Sequence, residues 1–344
     1  MAYPAAMSTL PDHVDALIVS SSRPDDDRVF VGRLSPEELG EGDVTVRVAW
    51  SSVNYKDGLA TIPNGRVARI DPLVPGVDLS GEVVASDADG IAVGSQVIVH
   101  GHEMGVSHHG GFAQYARVPA AWVVPLPTGM SLRDAMILGT AGFTAALSVH
   151  LLEERGLQPG DGPVVVTGAT GGVGSTAVGM LAQRGYEVVA ATGKQEAAEW
   201  LRGLGASAIV GREDVVGDSS RPLGKARWAA AVDCVGGPML DGILRNLRPG
   251  AAVAASGNTA GIALETTVLP FILRGVALLG VDSAFCPYDV RLAVWERLAG
   301  DLRPRGLEES IAHEVSGLGE DLLTALRKVL AGEMTGRTLV RIGG

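Results

Sequence analysis

The chain has 344 residues, of which 46% are hydrophobic, enough to bury a sizeable core in two domains or one large one. Its formal net charge of −11 disfavours nucleic acid and anionic membranes as general partners, so an anionic ligand would need a local cluster of basic residues. The two cysteines, Cys234 and Cys286, are too few for a disulfide framework or a structural zinc lobe, and they indicate a reducing cytosol.

The first part of the chain predicts a mostly antiparallel β domain. Its opening stretch, "MAYPAAMSTLPDH", lacks the basic and apolar regions of a signal peptide, so we expect a cytoplasmic protein. Turn residues then separate short segments that are typical of strands. The predicted strands cover residues 15–19, 43–53, 81–86, 94–100 and 112–119. We therefore expect residues 1–132 to form this β domain.

The pattern then changes to alternating helices and buried strands. A helix is predicted over 132–154; its uncharged part, 135–152, contains Gly, Thr, Ser and His, which favours a buried helix over a membrane span. Apolar strands and amphipathic helices that alternate indicate a doubly wound parallel sheet, expected over 133–285. The predicted strands are 163–167, 187–192, 207–210, 229–236, 251–256 and 276–283. Residues 286–344, with two helices and a strand at 337–342, are expected to return to the first domain.

A glycine-rich turn indicates a dinucleotide site. In "VVVTGATGGVGSTAVGML", the predicted strand runs into Gly168, Gly171 and Gly174 and then into a helix. Glycines allow backbone N–H groups to approach a pyrophosphate, and the amino end of a helix favours negative charge. The alternative is a turn without a ligand, but the strand before it and the helix after it supply the required context. The predicted cofactor contacts here are Gly171, Gly172, Val173, Gly174 and Ser175.

The end of the second strand of the predicted parallel sheet indicates NADP(H). NAD sites place an Asp or Glu there to bind the ribose 2′-OH, whereas this chain has Thr192, Gly193 and Lys194. No acid would repel a 2′-phosphate, while a hydroxyl and one of only four lysines are present to hold it. The alternative is a solvated lysine that opens a helix. Arg212, after the third strand, is either a second phosphate contact or a surface arginine.

The order of a β domain, a Rossmann domain and a return segment resembles the medium-chain dehydrogenase/reductase superfamily nearly end to end. Several stretches resemble its zinc-free, quinone-oxidoreductase-like branch, which contains the acryloyl-CoA reductases: "WSSVNYKDGLA", "PLVPGVDLSGEV", "ILGTAGFTAALSV", "VVVTGATGGVGSTAVGML", "WAAAVDCVGG", "TTVLPFILRGVALLGVDS" and "GRTLV". The resemblance implies a GroES-like fold for the β domain. It also implies a homodimer, which the hydrophobic strand "VALLGV" near the sheet edge favours as well.

The resemblance further implies that no metal takes part. Zinc-dependent relatives have ligands where this chain has Asn54, Val77 and Thr140, and none of these is a usual zinc ligand. The "GHE" at 101–103 matches a ligand-bearing tripeptide of those relatives only in its letters, because it lies in another loop. Residues 100–109 contain four of the seven histidines and could chelate a metal opportunistically, but we expect the loop to contact substrate through His108 or His109.

Hydride transfer without a metal requires a substrate that carries its own activation, such as a conjugated enoyl thioester or a quinone. Hydride adds to the β-carbon, and hydrogen-bond donors must meet the charge that develops on the carbonyl oxygen. In the resembling family the "NYKD" segment lies beside the nicotinamide, which makes Tyr55 the candidate to contact the nicotinamide or substrate and to donate that hydrogen bond. Asn54 and Asp57 are candidates to orient it. The alternatives are a core tyrosine and a helix N-terminal role for Asp57.

The resemblance implies further cofactor contacts beyond the glycine-rich turn. Thr140 would pack beside the nicotinamide, Asn258 and Ser283 would complete the cofactor pocket, and Arg337 would lie near the cofactor on the return strand. A CoA thioester also brings phosphates that need local cations. Arg66 and Arg69, which follow shortly after "NYKD", are candidates to bind these phosphates. The alternative is that both are solvated arginines of a loop.

These observations together predict NADPH-dependent reduction of a short 2-enoyl-CoA, with acryloyl-CoA converted to propanoyl-CoA. The alternatives are an NADPH:quinone oxidoreductase and a non-catalytic NADPH-binding protein that acts as a sensor or structural component. The intact "NYKD" segment disfavours the last alternative. The expected partners are a small enoyl thioester or quinone and a second copy of the chain, with no nucleic acid and no membrane.

Overall fold

The computed structural model describes residues 10–309 and 311–343. Most of the opening stretch "MAYPAAMSTLPDH", which predicts that there is no signal peptide, lies outside the described residues. The described residues form two compact units. The first comprises the residues up to Thr140 together with those from Ile311 onward, and the second comprises residues 141–309. Each unit contains its own buried apolar cluster.

Strands and helices follow the chain in this order. The strands are β1 (Val14–Val19), β2 (Val29–Leu34), β3 (Val44–Ser52), β4 (Asp78–Ser86), β5 (Gln96–His100), β6 (Tyr115–Val118), β7 (Val123–Pro125), β8 (Val164–Thr167), β9 (Val188–Ala191), β10 (Ala208–Val210), β11 (Trp228–Asp233), β12 (Leu247–Ala255), β13 (Ala277–Gly280), β14 (Ile311–Ser316) and β15 (Arg337–Arg341). The helices are α1 (Tyr55–Thr61), α2 (Leu132–Glu154), α3 (Gly172–Gln183), α4 (Ala198–Leu204), α5 (Arg212–Val216), α6 (Gly237–Asn246), α7 (Leu269–Arg274), α8 (Tyr288–Ala299) and α9 (Glu320–Leu330).

Antiparallel pairing dominates the first unit. Its main sheet has the order β14-β15-β3-β4-β5-β7, with β6 also paired to β3, while β1 pairs with β2. The pair β14 and β15 is parallel, and the other pairs are antiparallel. Alternate residues of β3 (Val44, Val46 and Val48) are fully buried, as expected where one face of a sheet covers a core. The predicted, mostly antiparallel β domain is confirmed.

Helices α1 and α9 pack against each other in the first unit. A Cβ at Gly58 would lie 2.8 Å from Leu330 Cγ, so the two helices approach closely only because residue 58 has no side chain. Helix α9 buries Leu322, Ala325 and Leu326, which share one face of an amphipathic helix. This packing fixes α1, which begins at Tyr55.

The second unit contains the predicted parallel sheet, with the strand order β10-β9-β8-β11-β12-β13. Its pairs are all parallel. From β8 the chain runs outward through β9 and β10 and then crosses back to β11, so the strand order reverses between β8 and β11. Ligands of doubly wound sheets bind at the carboxyl ends of the strands at such a reversal. The predicted fold class is confirmed, and the topology predicts where a dinucleotide would bind.

Helix α2 is long and apolar enough to cross a membrane by length and composition alone. However, 83% of its most apolar window is buried within the protein, as in the core helix of a soluble protein. The helix is interrupted at Gly139, whose φ of 53° and ψ of −157° are not helical. A side chain is strained in that conformation, so glycine is required at the interruption.

The boundary of the second unit differs from the sequence prediction. Residues 286–309, predicted to belong to the return segment, lie with the Rossmann unit. The reason is the packing of α8 on α2: Trp295 stacks on Phe143 with ring centroids 6.0 Å apart, and Arg297 bonds to Glu153 at 2.5 Å. These contacts join segments far apart in sequence.

Candidate nucleotide and catalytic sites

The glycine-rich turn joins β8 to α3 at the carboxyl edge of the parallel sheet. The N–H of Gly171 donates to the carbonyl oxygen of Gly168, and the N–H of Ser175 donates to Gly171, both at 2.9 Å. A Cβ at Gly174 would lie 2.3 Å from the Gly168 carbonyl oxygen, so only glycine permits this approach. First-turn N–H groups have no acceptor within their helix, and those of α3, starting at Gly172 and Val173, are available to a phosphate.

The residues expected to bind a 2′-phosphate lie together at the end of β9. The hydroxyl of Thr192 accepts a hydrogen bond from the N–H of Lys194 at 3.0 Å, which fixes the turn. Arg212, the first residue of α5, lies against this turn. A Cβ at Gly193 would lie 3.1 Å from its Nε and 3.2 Å from its Nη2. The structure therefore places Arg212 against an exposed Gly193, the residue that precedes Lys194.

A buried carboxylate at the end of β11 was missed by the sequence analysis. Asp233 accepts hydrogen bonds from Thr167 Oγ1 at 2.5 Å and from the N–H of Gly236 at 2.9 Å. Burial raises its pKa, and these donors lower it in part. The carboxylate fixes the loop after β11, and that loop packs on Gly168 through Val235. An acidic residue that ends a run of buried apolar residues was the available signal.

The other predicted contacts of this unit lie at the same edge of the sheet. Asn258 is exposed on the segment after β12, and its carbonyl oxygen accepts from the N–H of Gly261 at 3.0 Å. Ser283 follows β13, and its Oγ accepts from Thr144 Oγ1 on α2 at 2.8 Å. The strand order places Ser283 on the half of the sheet opposite Lys194.

In the first unit, Asp78 is the centre of a buried polar cluster that the sequence analysis did not predict. Its Oδ1 accepts from Ser52 N at 3.0 Å, and its Oδ2 accepts from Asn54 Nδ2 and Thr140 N, both at 2.8 Å. A Cβ at Gly139 would lie 2.8 Å from Asp78 Oδ2, so the interruption of α2 makes room for the cluster. The cluster fixes Thr140 and Asn54 relative to each other.

Arg337 lies inside this cluster, in place of the predicted cofactor contact. Its Nε donates to the Ile137 carbonyl oxygen at 2.9 Å, its Nη2 donates to Ser52 Oγ at 2.7 Å, and its Nη1 lies 3.5 Å from Asn54 Oδ1. The side chain is fully enclosed. Burial lowers the pKa of Arg337, and the negative charge of Asp78 opposes that shift. The guanidinium therefore orients Asn54.

Asn54 and Asp57 fix the start of α1. Asp57 Oδ2 accepts from the N–H of Asn54 at 2.8 Å, and its Oδ1 accepts from the N–H groups of Gly76 at 3.2 Å and Val77 at 2.9 Å. Burial, with the nearby charge of Asp78, raises the pKa of Asp57 to about 7, although these donors favour its ionised form. The helix N-terminal role weighed for Asp57 is what this geometry supports.

Tyr55 projects from the fixed start of α1. Its side chain is 43% exposed, which excludes the alternative of a core tyrosine. Across residues 10–309 and 311–343 the structure gives its hydroxyl no hydrogen-bond partner. Asn54 Nδ2 points inward, to Asp78 Oδ2 and to the Ser52 carbonyl oxygen at 3.2 Å. Of the predicted catalytic residues, Tyr55 is thus the one able to donate to a ligand.

The predicted substrate contacts differ in their surroundings. Arg66 and Arg69 are exposed on the loop after α1, and Arg69 lies 3.9 Å from Glu103 Oε2. The ring of His108 has Nδ1 2.9 Å from the His109 carbonyl oxygen and Nε2 2.8 Å from that of Glu41. Both ring nitrogens thus face main-chain carbonyl oxygens, which ties the ring to its own loop and to Glu41, and a contact of His108 with substrate stays a prediction.

Two protein-family models match the chain. The model described as "Alcohol dehydrogenase GroES-like domain" matches residues 40–128, and the one described as "Zinc-binding dehydrogenase" matches residues 172–299. The first match covers much of the antiparallel sheet, and the second runs from the glycine-rich turn to the end of α8. Both matches agree with the observed architecture.

Similar proteins extend over nearly the whole chain. It is 50% identical to "Putative quinone oxidoreductase YhfP" of Bacillus subtilis, over 92% of this chain and 96% of that protein. It is 48% identical to "Acrylyl-CoA reductase AcuI" of Ruegeria pomeroyi, over 91% and 94%. The crystal structure of Bacillus subtilis yhfP with NAD bound has a TM-score of 0.92, 48% identity, and coverage of 96% of this chain and all of that one. The crystal structure of the Salmonella enterica yhdH oxidoreductase in complex with NADP has a TM-score of 0.90 and 44% identity, and it also covers 96% of this chain and all of that one.

The name of the second family model implies zinc, but the residues do not fit that metal. At the three positions where the resemblance implies ligands in zinc-dependent relatives, Asn54 offers an amide bonded to Asp78, Val77 offers an alkyl side chain, and Thr140 offers a hydroxyl. These groups are not the thiolate, imidazole or carboxylate ligands that zinc takes in proteins. Within the described residues, no group of three His, Cys, Asp or Glu side chains could hold a metal ion.

Proposed function

Because the chain belongs to the zinc-free, quinone-oxidoreductase-like branch of the medium-chain dehydrogenase/reductase superfamily, we propose that it reduces a short 2-enoyl-CoA with NADPH. Acryloyl-CoA, converted to propanoyl-CoA, is the leading substrate. The observation that carries the proposal is the exposed hydroxyl of Tyr55, on a helix start fixed by Asp57 and by the Asp78 cluster. It is a hydrogen-bond donor where zinc-dependent relatives use a metal.

In the proposed reaction, the protein positions the substrate and the cofactor and supplies one hydrogen-bond donor. The β-carbon takes a hydride, which bound NADPH would supply, and the electron pair of the double bond moves onto the thioester oxygen as an enolate. Tyr55 donates a hydrogen bond to that oxygen, where charge develops. The α-carbon then takes a proton from water. Asn54 and Asp57 act by holding Tyr55, because their own polar atoms are already bonded inside the first unit.

We propose NADP(H) as the cofactor because Arg212 packs against Gly193, Lys194 follows Gly193 in the chain, and a threonine stands at the end of β9 where NAD sites have an acid. The NADP complex of the Salmonella relative supports this proposal. The Bacillus relative has NAD bound in its crystal structure. The cations of this chain favour a 2′-phosphate.

Arg66 and Arg69 support a CoA thioester as the substrate. They are exposed cations on the loop after α1, on a chain whose net charge is −11, and a CoA thioester brings a diphosphate and a 3′-phosphate. A benzoquinone has no phosphate for them to bind. The name of the Ruegeria relative supports the thioester, and that of the Bacillus relative keeps the quinone as a second candidate.

A panel of acceptors tests the proposal. The purified protein is incubated with NADPH and acryloyl-CoA, crotonyl-CoA or a benzoquinone, and loss of absorbance from NADPH is followed. We expect kcat/KM to be highest for acryloyl-CoA. Preference for the quinone would replace the proposed substrate, and no turnover with any acceptor would favour a non-catalytic NADPH-binding protein. Arg66→Ala and Arg69→Ala should raise KM for acryloyl-CoA and leave quinone reduction unchanged.

We further propose that the protein is a cytoplasmic homodimer joined through β13. This strand is an edge of the parallel sheet, and an uncovered edge readily pairs with another chain. Large apolar side chains on and near it are exposed: Val268, Ile272, Leu273, Leu278 and Phe285. Light scattering after size-exclusion chromatography should give twice the chain mass of 35.4 kDa. A monomer would contradict this proposal without affecting the proposed reaction.

A further inference from the structure

Arg291, on α8, is a buried cation that the proposed reaction does not use. Its side chain is 0% exposed, and its guanidinium lies over the ring of Phe143, 5.4 Å from the centroid. Removing a guanidinium from water is destabilising unless hydrogen bonds replace its hydration. Burial lowers the pKa of Arg291, and the nearby Cys286 and Asp282 oppose that shift. Its hydrogen bonds show which segment it serves.

The guanidinium bonds to the main chain of the segment that follows β13. Nη2 donates to the carbonyl oxygen of Ala284 at 2.9 Å and to that of Ser283 at 3.4 Å. Asp282 Oδ1 accepts from the N–H groups of Ala284 at 3.1 Å and Phe285 at 3.0 Å. The segment 282–285 is therefore held by Arg291 through the carbonyl groups of Ser283 and Ala284, and by Asp282 through the N–H groups of Ala284 and Phe285.

This segment lies at the edge of the sheet where the dinucleotide is proposed to bind. Strand β13 is parallel to β12, and β12 is parallel to β11 and β11 to β8, so residues 282–285 emerge at the same edge as the glycine-rich turn. Each half of a doubly wound sheet holds one nucleotide of a dinucleotide. The half with β9 and β10 has Lys194 and Arg212, so the half with β12 and β13 receives the nicotinamide nucleotide.

We propose that Arg291 is a positioning residue that holds the main chain of residues 282–285 in the conformation that binds the nicotinamide half of NADPH. The inference rests on the proposed function, because it takes NADPH as the ligand. Ser283 belongs to the same arrangement, since its Oγ accepts from Thr144 Oγ1 at 2.8 Å. The segment is thus fixed by α8 through Arg291 and by α2 through Thr144.

The test compares NADPH with 2′-phospho-ADP-ribose, which lacks only the nicotinamide. Arg291→Met removes the charge and the donors while keeping an unbranched side chain, and Arg291→Lys keeps the charge and a donor. Dissociation constants for both ligands are measured by isothermal titration calorimetry. Loss of hydrogen bonds from a charged group should weaken NADPH binding by Arg291→Met about tenfold to a hundredfold, and by Arg291→Lys less. The affinity for 2′-phospho-ADP-ribose should remain that of the wild type.

Arg297→Met is the matched control, because Arg297 lies on the same helix and bonds instead to Glu153 and Asp301. It should lower the melting temperature and leave both affinities unchanged. Wild-type NADPH affinity in Arg291→Met, or an equal loss of both ligands, would overturn the inference. If Arg291→Met does not fold, the dissociation constants of Arg291→Lys and Thr144→Val for NADPH and 2′-phospho-ADP-ribose test the inference in the same way. A wild-type protein that binds no NADPH would instead overturn the proposed function.

Discussion

The turn after β9 offers the sharpest prediction, because Lys194 and Arg212 should act on the 2′-phosphate and on nothing else. Lys194→Ala removes one charge-assisted contact, worth about 1.5–3 kcal/mol, which corresponds to a roughly tenfold to hundredfold weaker Kd for NADPH. Arg212→Ala should cost a similar amount, because the guanidinium lies beside Gly193, where a Cβ would be 3.1 Å from its Nε. NADH lacks the phosphate, so its Kd should hardly change in either variant.

Fluorescence titration of the wild type and the variants with NADPH and NADH measures these changes. Lys225→Ala is the matched control, since Lys225 is an exposed lysine of the same unit that precedes the amino end of β11. Added salt should reduce the difference between the Kd values of the wild type for NADPH and NADH, because salt screens the attraction between exposed charges. Equal weakening of NADPH and NADH would refute the reasoning and assign Lys194 to the fold. Equal affinity of the wild type for both cofactors would refute it as well.

Three further predictions concern the first unit. Tyr55→Phe should lower kcat and kcat/KM together, by about 1.5–3 kcal/mol in the barrier, with little change in KM, whereas unchanged turnover would contradict its role as a donor. The pKa of Asp57 is raised from 3.8 to about 7, so its contribution to stability is fully present below pH 3.8 and is lost as the pH rises through 7. Urea unfolding should therefore show the stability of the wild type relative to Asp57→Asn falling between pH 5 and pH 8, by at most about 1.4 kcal/mol per pH unit; a rise would contradict the raised pKa. Dialysis against a strong chelator should leave activity intact, and stoichiometric zinc whose removal abolishes activity would contradict the metal-free reaction.

Local patterns were enough to predict the glycine-rich turn and the parallel sheet around it. The strand, the three spaced glycines and the following helix are contiguous in sequence, and so is the turn with Thr192 and Lys194. The alternation of apolar strands with helices also predicted the parallel sheet. Such features depend on neighbours a few residues away, which one sequence displays directly. The interruption of α2 at Gly139 is different. The sequence displays the glycine, but the reason that a glycine is needed there is the Asp78 cluster, whose residues are distant in sequence.

The polar cluster of the first unit could not be predicted because its members are far apart in the chain. Asp78 and Thr140 are separated by 62 positions, and Arg337 and Ser52 by 285. Family resemblance placed Arg337 near the cofactor, and only the packing of β15 on β3 shows that its guanidinium faces Ser52 and Asn54. The surroundings of His108 could not be predicted for the same reason, since its Nε2 lies 2.8 Å from the carbonyl oxygen of Glu41, 67 residues away. Long-range contacts decide these roles.

The transfer of hydride to the β-carbon of an enoyl thioester is the central claim, and isotope transfer tests it most directly. NADPH deuterated at both positions of nicotinamide C4 is incubated with acryloyl-CoA and the protein, and the product is analysed by mass spectrometry and NMR. We expect propanoyl-CoA with one deuterium at the β-carbon and a solvent proton at the α-carbon. Deuterium at the α-carbon, or oxidation of NADPH without formation of propanoyl-CoA, would contradict it.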